Sequence, residues 1–242
     1  MLSWPPMSRS GSGDVFALLQ ASAVFAGLPV PEVEALAATA REQSCRAREY
    51  VFHEGDPPLW LCLVKTGHVR IVRHSRAGKD VVLELLGPGE IFGGVAVIER
   101  RPYPAAAQTA EPSVVVKIPA DVVVGLAERH PSVVREMALL IGRRLRAAHD
   151  SVKSLSVEPV ESRLAATLLR LADREGVRTQ GGVELPFHLT RQNLADMSGT
   201  TVETAIRVVS RWLRDDVVED RGGRLVVRDR DALRDLAEGD AG

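Results

Sequence analysis

Residues 189–213 read L-T-R-Q-N-L-A-D-M-S-G-T-T-V-E-T-A-I-R-V-V-S-R-W-L. Thr190 is fit to cap a short helix reaching Met197, because its hydroxyl can accept from an unpaired amide of the first turn. Ala195 is small where two helices would cross closely. Gly199 stands where a tight interhelical turn needs a positive φ. A second helix is expected from about Thr201 to Leu213, with Ala205, Val208, Val209 and Leu213 turned inward. A small residue, three intervening residues, a glycine and then a helix is the pattern of a helix-turn-helix.

The flanks strengthen this reading. From Asp216 to Val227 the chain reads strand, Gly222-Gly223 hairpin, strand, which is a wing. The outward face of the second helix would carry Val202, Glu203, Ile206 and Arg207. Glu203 and Arg207 are four residues apart and so share a face. A surface ion pair is one use of them, and direct base readout is another compatible with it. Arginine donates twice to guanine O6 and N7, and glutamate accepts from cytosine N4. Thr190, Arg191, Gln192, Thr201, Arg211 and Arg224 are candidates for the DNA backbone, where contacts position a domain without specifying sequence.

Upstream, Val160–Glu175 reads as a helix with an apolar face of Leu164, Ala165, Leu168, Leu169 and Leu171, closed off before it by Pro159 and after it by a loop holding Gly176, Gly181 and Gly182. Before Pro159, Val134, Met137, Ile141, Leu145, Ala148, Val152 and Leu155 recur at steps of three and four. At 1.5 Å per residue this seam is about 32 Å long. Its near-heptad spacing suits a helix paired with its twin across a dimer axis, although a helix packed on its own domain would share the pattern. Arg143, Arg144 and Arg146 fill much of the other side.

Residues 45–118 have a different character. Tyr50–Phe52, Trp60–Val64, Val69–Val72, Val81–Leu86 and Val114–Ile118 are short β-rich runs. Gly55-Asp56-Pro57-Pro58, Gly67, Ala77-Gly78-Lys79 and Gly87-Pro88-Gly89 punctuate them, as in an antiparallel sandwich or barrel. Residues 14–41 read as helical. The fold class is therefore α+β. A disordered tail is expected over 1–13, a β-rich domain over 14–130, a dimerisation helix over 131–157 and a winged helix-turn-helix over 158–242.

Composition narrows the function classes. The chain has 242 residues, 45% hydrophobic and 26% charged, with a net charge of −1. No apolar run matches a membrane span and no signal segment is evident, so no membrane partner is expected and the cytoplasm is the expected compartment. Two cysteines, Cys45 and Cys62, make no disulfide framework. No P-loop, zinc-ligand spacing, G-x-S-x-G or Rossmann glycine pattern is present, so an enzyme is not expected and no metal site is assigned.

The stretch T-R-Q-N-L-A-D-M-S-G-T-T-V-E-T-A-I-R closely resembles the helix-turn-helix of the CRP/FNR family. F-H-E-G-D-P at 52–57, Lys65-Thr66-Gly67 and L-G-P-G-E-I-F-G-G at 86–94 extend the resemblance to roughly residues 20–236. It implies a cyclic-nucleotide-binding-like β-roll (a double-stranded jelly roll), a long dimer helix and a winged helix reading a palindrome in double-stranded DNA as a homodimer. It also implies RNA polymerase as a partner and activation as the commoner mode. Glu203 and Arg207 match the family residues that read a G·C pair, while Val202 matches the FNR-like branch. A TTGA-like half-site is therefore expected, with Ile206 departing from the Ser common there.

The same resemblance frames the effector pocket as Gly89, Glu90, Phe92, Gly93, Gly94, Tyr103 and Pro104. Cyclic-nucleotide members carry a second Glu, which here is Gly94, and an Arg, which here falls on Tyr103 or Pro104. Both losses argue against cAMP, since a buried phosphate needs a cationic or amide-rich partner. Two cysteines are too few for an iron-sulfur cluster. Haem stays open as a cofactor, with His53, His68, His74, His130, His149 and His188 available and no spacing that singles one out. Arg101–Gln108 resembles a stretch of nitric-oxide-responsive denitrification regulators. The effector is thus an unidentified small molecule or gas. The alternatives are a β-roll module acting through protein contacts, or a regulator sensing redox state through Cys45 or Cys62.

Overall fold

The computed structural model describes residues 12–74 and 80–239. The chain divides into two compact units, one comprising residues up to His74 and Leu83–Leu145, the other comprising residues 80–82 and those from Arg146 onward. The expected tail lies outside the described residues up to position 11. Ser12 and Gly13 already belong to the first helix, and the Ala77-Gly78-Lys79 turn also falls outside the description.

The first unit opens with helices α1 (Ser12–Ala21) and α2 (Val30–Thr39). Eight strands follow: β1 (Arg41–Cys45), β2 (Tyr50–Phe52), β3 (Trp60–Thr66), β4 (Val69–His74), β5 (Asp80–Leu86), β6 (Ile91–Phe92), β7 (Ala106–Thr109) and β8 (Ser113–Pro119). They form two four-stranded sheets, β1-β8-β3-β6 and β2-β7-β4-β5, in which β8 pairs antiparallel with β1 and β3, β3 with β6, and β7 with β2 and β4. This is the double-sheet answer to exposed strand edges. Residue 41, expected at the end of a helix, instead starts β1. Helices α3 (Gly94–Glu99) and α4 (Ala120–Arg129) complete the roll before α5 (Pro131–Val157).

One apolar core joins Leu19, Phe25 and Leu36 of the N-terminal segment to Leu61, Ile118, Leu126 and Val133. A second lies between the sheets around Phe52, Cys62, Phe92 and Tyr103. Met137 of α5 is buried in the first core and is only 7% exposed. It therefore faces its own roll rather than the open seam. Val134, Ile141 and Leu145 are 50%, 43% and 54% exposed, and Ala148 is exposed too. With Met137 turned inward, the outward stripe passes instead through exposed Ala138. Val152 and Leu155 lie on the helix, but their side chains fall outside the description.

The second unit holds α6 (Val160–Glu175), β9 (Val177–Thr179), β10 (Gly182–Glu184), α7 (Arg191–Met197), α8 (Val202–Arg214), β11 (Val218–Arg221), β12 (Arg224–Val227) and α9 (Arg230–Glu238). The glycine-rich stretch after α6, expected as a loop, is a small hairpin. Its strands extend the wing into a sheet of order β11-β12-β10-β9. The inward face of α8 is Ala205, Val208, Val209 and Trp212, an i, i+3, i+4, i+7 stripe. Trp212 takes the place expected for Leu213, which is only half-buried.

Candidate nucleic-acid interface and the β-roll cavity

The two helices of the turn are both capped by threonine. Thr190 accepts from the Asn193 amide at 3.0 Å, and Thr201 accepts from the Thr204 amide at 3.3 Å. Gly199 takes φ 60° between them, a left-handed conformation that costs a side-chain-bearing residue energy. Ala195 is fully buried where α7 meets α8. The sequence did not point to Arg163, which braces the turn from α6. Its Nε donates to the Ser198 carbonyl at 3.0 Å, Nη2 to Gly199 at 3.2 Å and Nη1 to Glu158 at 2.7 Å.

This scaffold presents one side of α8 to solvent. Glu203, Ile206 and Arg207 are exposed and Val202 is half-buried beside them. Among the described residues neither Glu203 nor Arg207 has an ion-pair partner, so both heads are available. The surrounding arginines are held differently. Arg191 donates to Asp220 of the wing at 3.0 Å. Arg224 lies 3.6 Å from Glu184. Arg211 pairs with Glu161, which also accepts from the Trp212 indole at 2.9 Å. Gln192 donates to Asp196 at 2.7 Å. Arg211 thus ties α8 to α6, a packing role that the sequence reading did not foresee. Asp220 has a second task, since its other oxygen accepts from the Gly223 amide at 2.7 Å and fixes the wing turn.

The first unit contains a cavity against α5. Phe52, Ile71, Phe92, Gly93, Gly94, Tyr103, Pro104 and Met137 line it, along with Glu84 and Arg144. Five of the seven residues expected in the pocket are there. Gly89 and Glu90 are not. They form the turn before β6, where Glu90 accepts from the Gly87 amide at 2.7 Å and the Gly89 amide donates to Val64 at 2.8 Å.

Tyr103 stacks on Phe52 with ring centroids 3.7 Å apart. Its hydroxyl donates to the Trp60 carbonyl at 2.6 Å and accepts from the Trp60 amide at 3.0 Å. Burial holds this phenol above its ordinary pKa. A Cβ on Gly94 would lie 2.8 Å from Met137 Cε, the flexible end of a side chain that would have to move aside, and 3.3 Å from Leu61 Cδ1. Among the described residues Arg144 is the one cation on the wall, and its Nε sits 2.9 Å from Glu84 while Nη2 donates to the Ile91 carbonyl at 2.7 Å.

The donor set does not fit haem. Among the described residues no histidine or cysteine lines the cavity, Met137 is packed into the core and the Tyr103 hydroxyl is engaged with Trp60 as donor and acceptor, so no axial ligand is free. Nor do the described residues gather three His, Cys, Asp or Glu side chains into a metal-binding group. Cys45 and Cys62 are buried elsewhere in the core. Burial, reinforced by the Glu49 charge, pushes the Cys45 thiol up to about 11, and burial pushes Cys62 up to about 12. Among the described residues, no helix is long and apolar enough to cross a membrane.

Two family models match the chain. Residues 42–130 match the cyclic nucleotide-binding domain, and residues 162–236 match the Crp-like helix-turn-helix domain. A protein of Thermus thermophilus named cyclic AMP receptor protein is 30% identical over 91% of this chain and 99% of its own length. The chain belongs to the CRP/FNR family of transcription regulators. Other relatives of this CRP/FNR regulator include the transcriptional activator protein anr of Pseudomonas aeruginosa, 25% identical over 82% of this chain and 81% of that protein. FixK2 from Bradyrhizobium japonicum has the same fold, with a TM-score of 0.73 at 24% identity over 81% of this chain and 96% of that one. The β-roll followed by helices and a helix-turn-helix domain is the architecture of this CRP/FNR regulator.

Proposed function

We propose that this regulator acts in the cytoplasm as a homodimer that reads a TTGA-like inverted repeat and activates transcription with RNA polymerase. The carrying observation is the unpaired Glu203 and Arg207, one turn apart on the open face of a capped, braced helix. Arg207 would donate to guanine and Glu203 would accept from cytosine, while Val202 would meet a thymine methyl. The paired arginines Arg191 and Arg224 would take phosphates by exchanging carboxylate partners. Thr190, Gln192 and Thr201, at or near the helix N-termini, would add neutral contacts. Arg211, tied to Glu161, would contribute only by giving up that pair.

The exposed stripe of Val134, Ala138, Ile141, Leu145 and Ala148 supports the dimer. Its steps of four, three, four and three are those of a coiled-coil seam. Twin recognition helices would then stand about 34 Å apart, one DNA turn. An effector in the β-roll would bias that arrangement through α5.

The proposed effector is not cAMP. Met137 packs against Gly94, where the resemblance puts the family's ribose-binding Glu, and of the two candidate Arg positions Tyr103 commits its hydroxyl to Trp60 while Pro104 carries no charge. Selection of sites from randomised duplex DNA by the full chain, with and without cAMP, tests the proposal. Enrichment of an inverted TTGA-like repeat, unchanged by cAMP, is expected. Single half-sites, no enrichment or a requirement for cAMP would overturn it.

A further inference from the structure

The β-roll cavity measures about 150 Å³. Aromatic faces from Phe52, Phe92 and Tyr103 meet aliphatic groups from Ile71, Met137 and Ile141. The Glu84 and Arg144 charges neutralise each other at 2.9 Å. The Tyr103 hydroxyl is engaged as both donor and acceptor with Trp60. The polar side chains of the wall are therefore committed within the protein.

A cavity of about 150 Å³ with a mainly apolar lining is large enough to admit a benzene-sized molecule. A phosphodiester would instead bring a fixed negative charge beside a cation already paired, and an uncompensated buried charge is heavily penalised. We propose that this cavity binds a small uncharged molecule with an aromatic body, in preference to a cyclic nucleotide. Met137, Leu140, Ile141 and Arg144 form its α5 wall, so an occupant touches the dimer helix directly. That this occupancy controls DNA binding rests on the reading of the β-roll as the sensing half.

Methyl-labelled methionine in the full chain gives a direct readout, because the sequence has only four methionines. Met137 lines the cavity, and Met197 at the end of α7 serves as reference. Toluene is the probe. A saturable shift of the Met137 methyl signal, with Met197 unmoved and no response to cAMP at the same concentration, is expected. Ile71→Phe, which fills the cavity, should weaken the toluene response at least tenfold. Toluene leaving Met137 unmoved up to its solubility would overturn the proposal. So would a Met137 shift produced by cAMP at lower concentration. Should Ile71→Phe fail to fold, the unmodified chain still decides between these outcomes. DNA-binding anisotropy with and without toluene separates the two claims. Unchanged affinity with the Met137 shift intact would refute effector control and leave the ligand class standing.

Discussion

Arg163→Ala removes the brace behind the helix-turn-helix. Three charge-assisted hydrogen bonds are lost, to the carbonyls of Ser198, Glu158 and Gly199. A hydrogen bond to a charged group contributes about 1.5–3 kcal/mol, but the three losses do not simply add. Gly199 is exposed and Glu158 half-buried, so water takes over much of those two bonds, whereas Ser198 is 3% exposed and its partner is harder to replace. The net cost to the second unit is about 2–3 kcal/mol, a factor of roughly 30–150 in its folding equilibrium. Trp212, buried on α8, reports on this unit. Urea unfolding followed by its emission, in a background where Trp4 and Trp60 are Phe, measures the change. Arg163→Lys should retain one bond and lose about half as much. A loss below about 0.5 kcal/mol for Arg163→Ala, the range of ordinary surface changes, would show that solvent satisfies these carbonyls and that the brace is incidental.

Gly94→Glu should not confer cAMP binding. The wall cation Arg144 would stay paired with Glu84, leaving a cyclic phosphate without a partner, and calorimetric titration that showed cAMP binding by the variant would contradict this. Cys45 and Cys62, with thiols raised to about 11 and 12, stay protonated at pH 8. A thiol-reactive disulfide should label neither in the native protein and both in denaturant, while rapid native labelling would restore a thiol switch. Asp220→Asn keeps an acceptor for the Gly223 amide but frees Arg191 from its carboxylate. Non-specific DNA binding should tighten, because Arg191 no longer gives up a carboxylate to reach a phosphate, and an unchanged affinity would mean that Arg191 reaches no phosphate.

The winged helix-turn-helix was legible because local chemistry dictates it. Thr190 and Thr201 are caps, Gly199 is forced by its φ, and the Gly222-Gly223 pair closes a hairpin. Helix α6 was readable from Pro159 to Glu175 for the same reason. The short strands were harder. β7 is Ala106-Ala107-Gln108-Thr109, buried throughout and poor in β-formers, so tertiary packing alone makes it a strand. β6 has two residues, too few for any period. In α4, Val122, Val123 and Val124 are a β-branched run that packing overrides into a helix.

The site divided in a similar way. The exposed face of α8 follows from spacing alone. Arg163, Glu84 and Asp220 did not stand out, because their partners lie 35, 60 and 29 residues away in sequence. The choice between Met137 and Ala138 on α5 turns on one residue of helical phase, which only the neighbouring roll settles. Tyr103 was visible as a missing arginine. That its ring stacks on Phe52 and its hydroxyl closes on Trp60 depends on residues more than forty positions away in sequence.

The central claim is base readout by α8. Its most direct measurement is the affinity of Arg207→Ala for the selected duplex and for duplexes with each base pair of the half-site replaced in turn, at fixed salt. A loss of about 1–3 kcal/mol on the cognate duplex, with discrimination relaxed at one base pair and retained at the others, is expected. An equal loss on cognate and random DNA, or undiminished discrimination at every position, would contradict it.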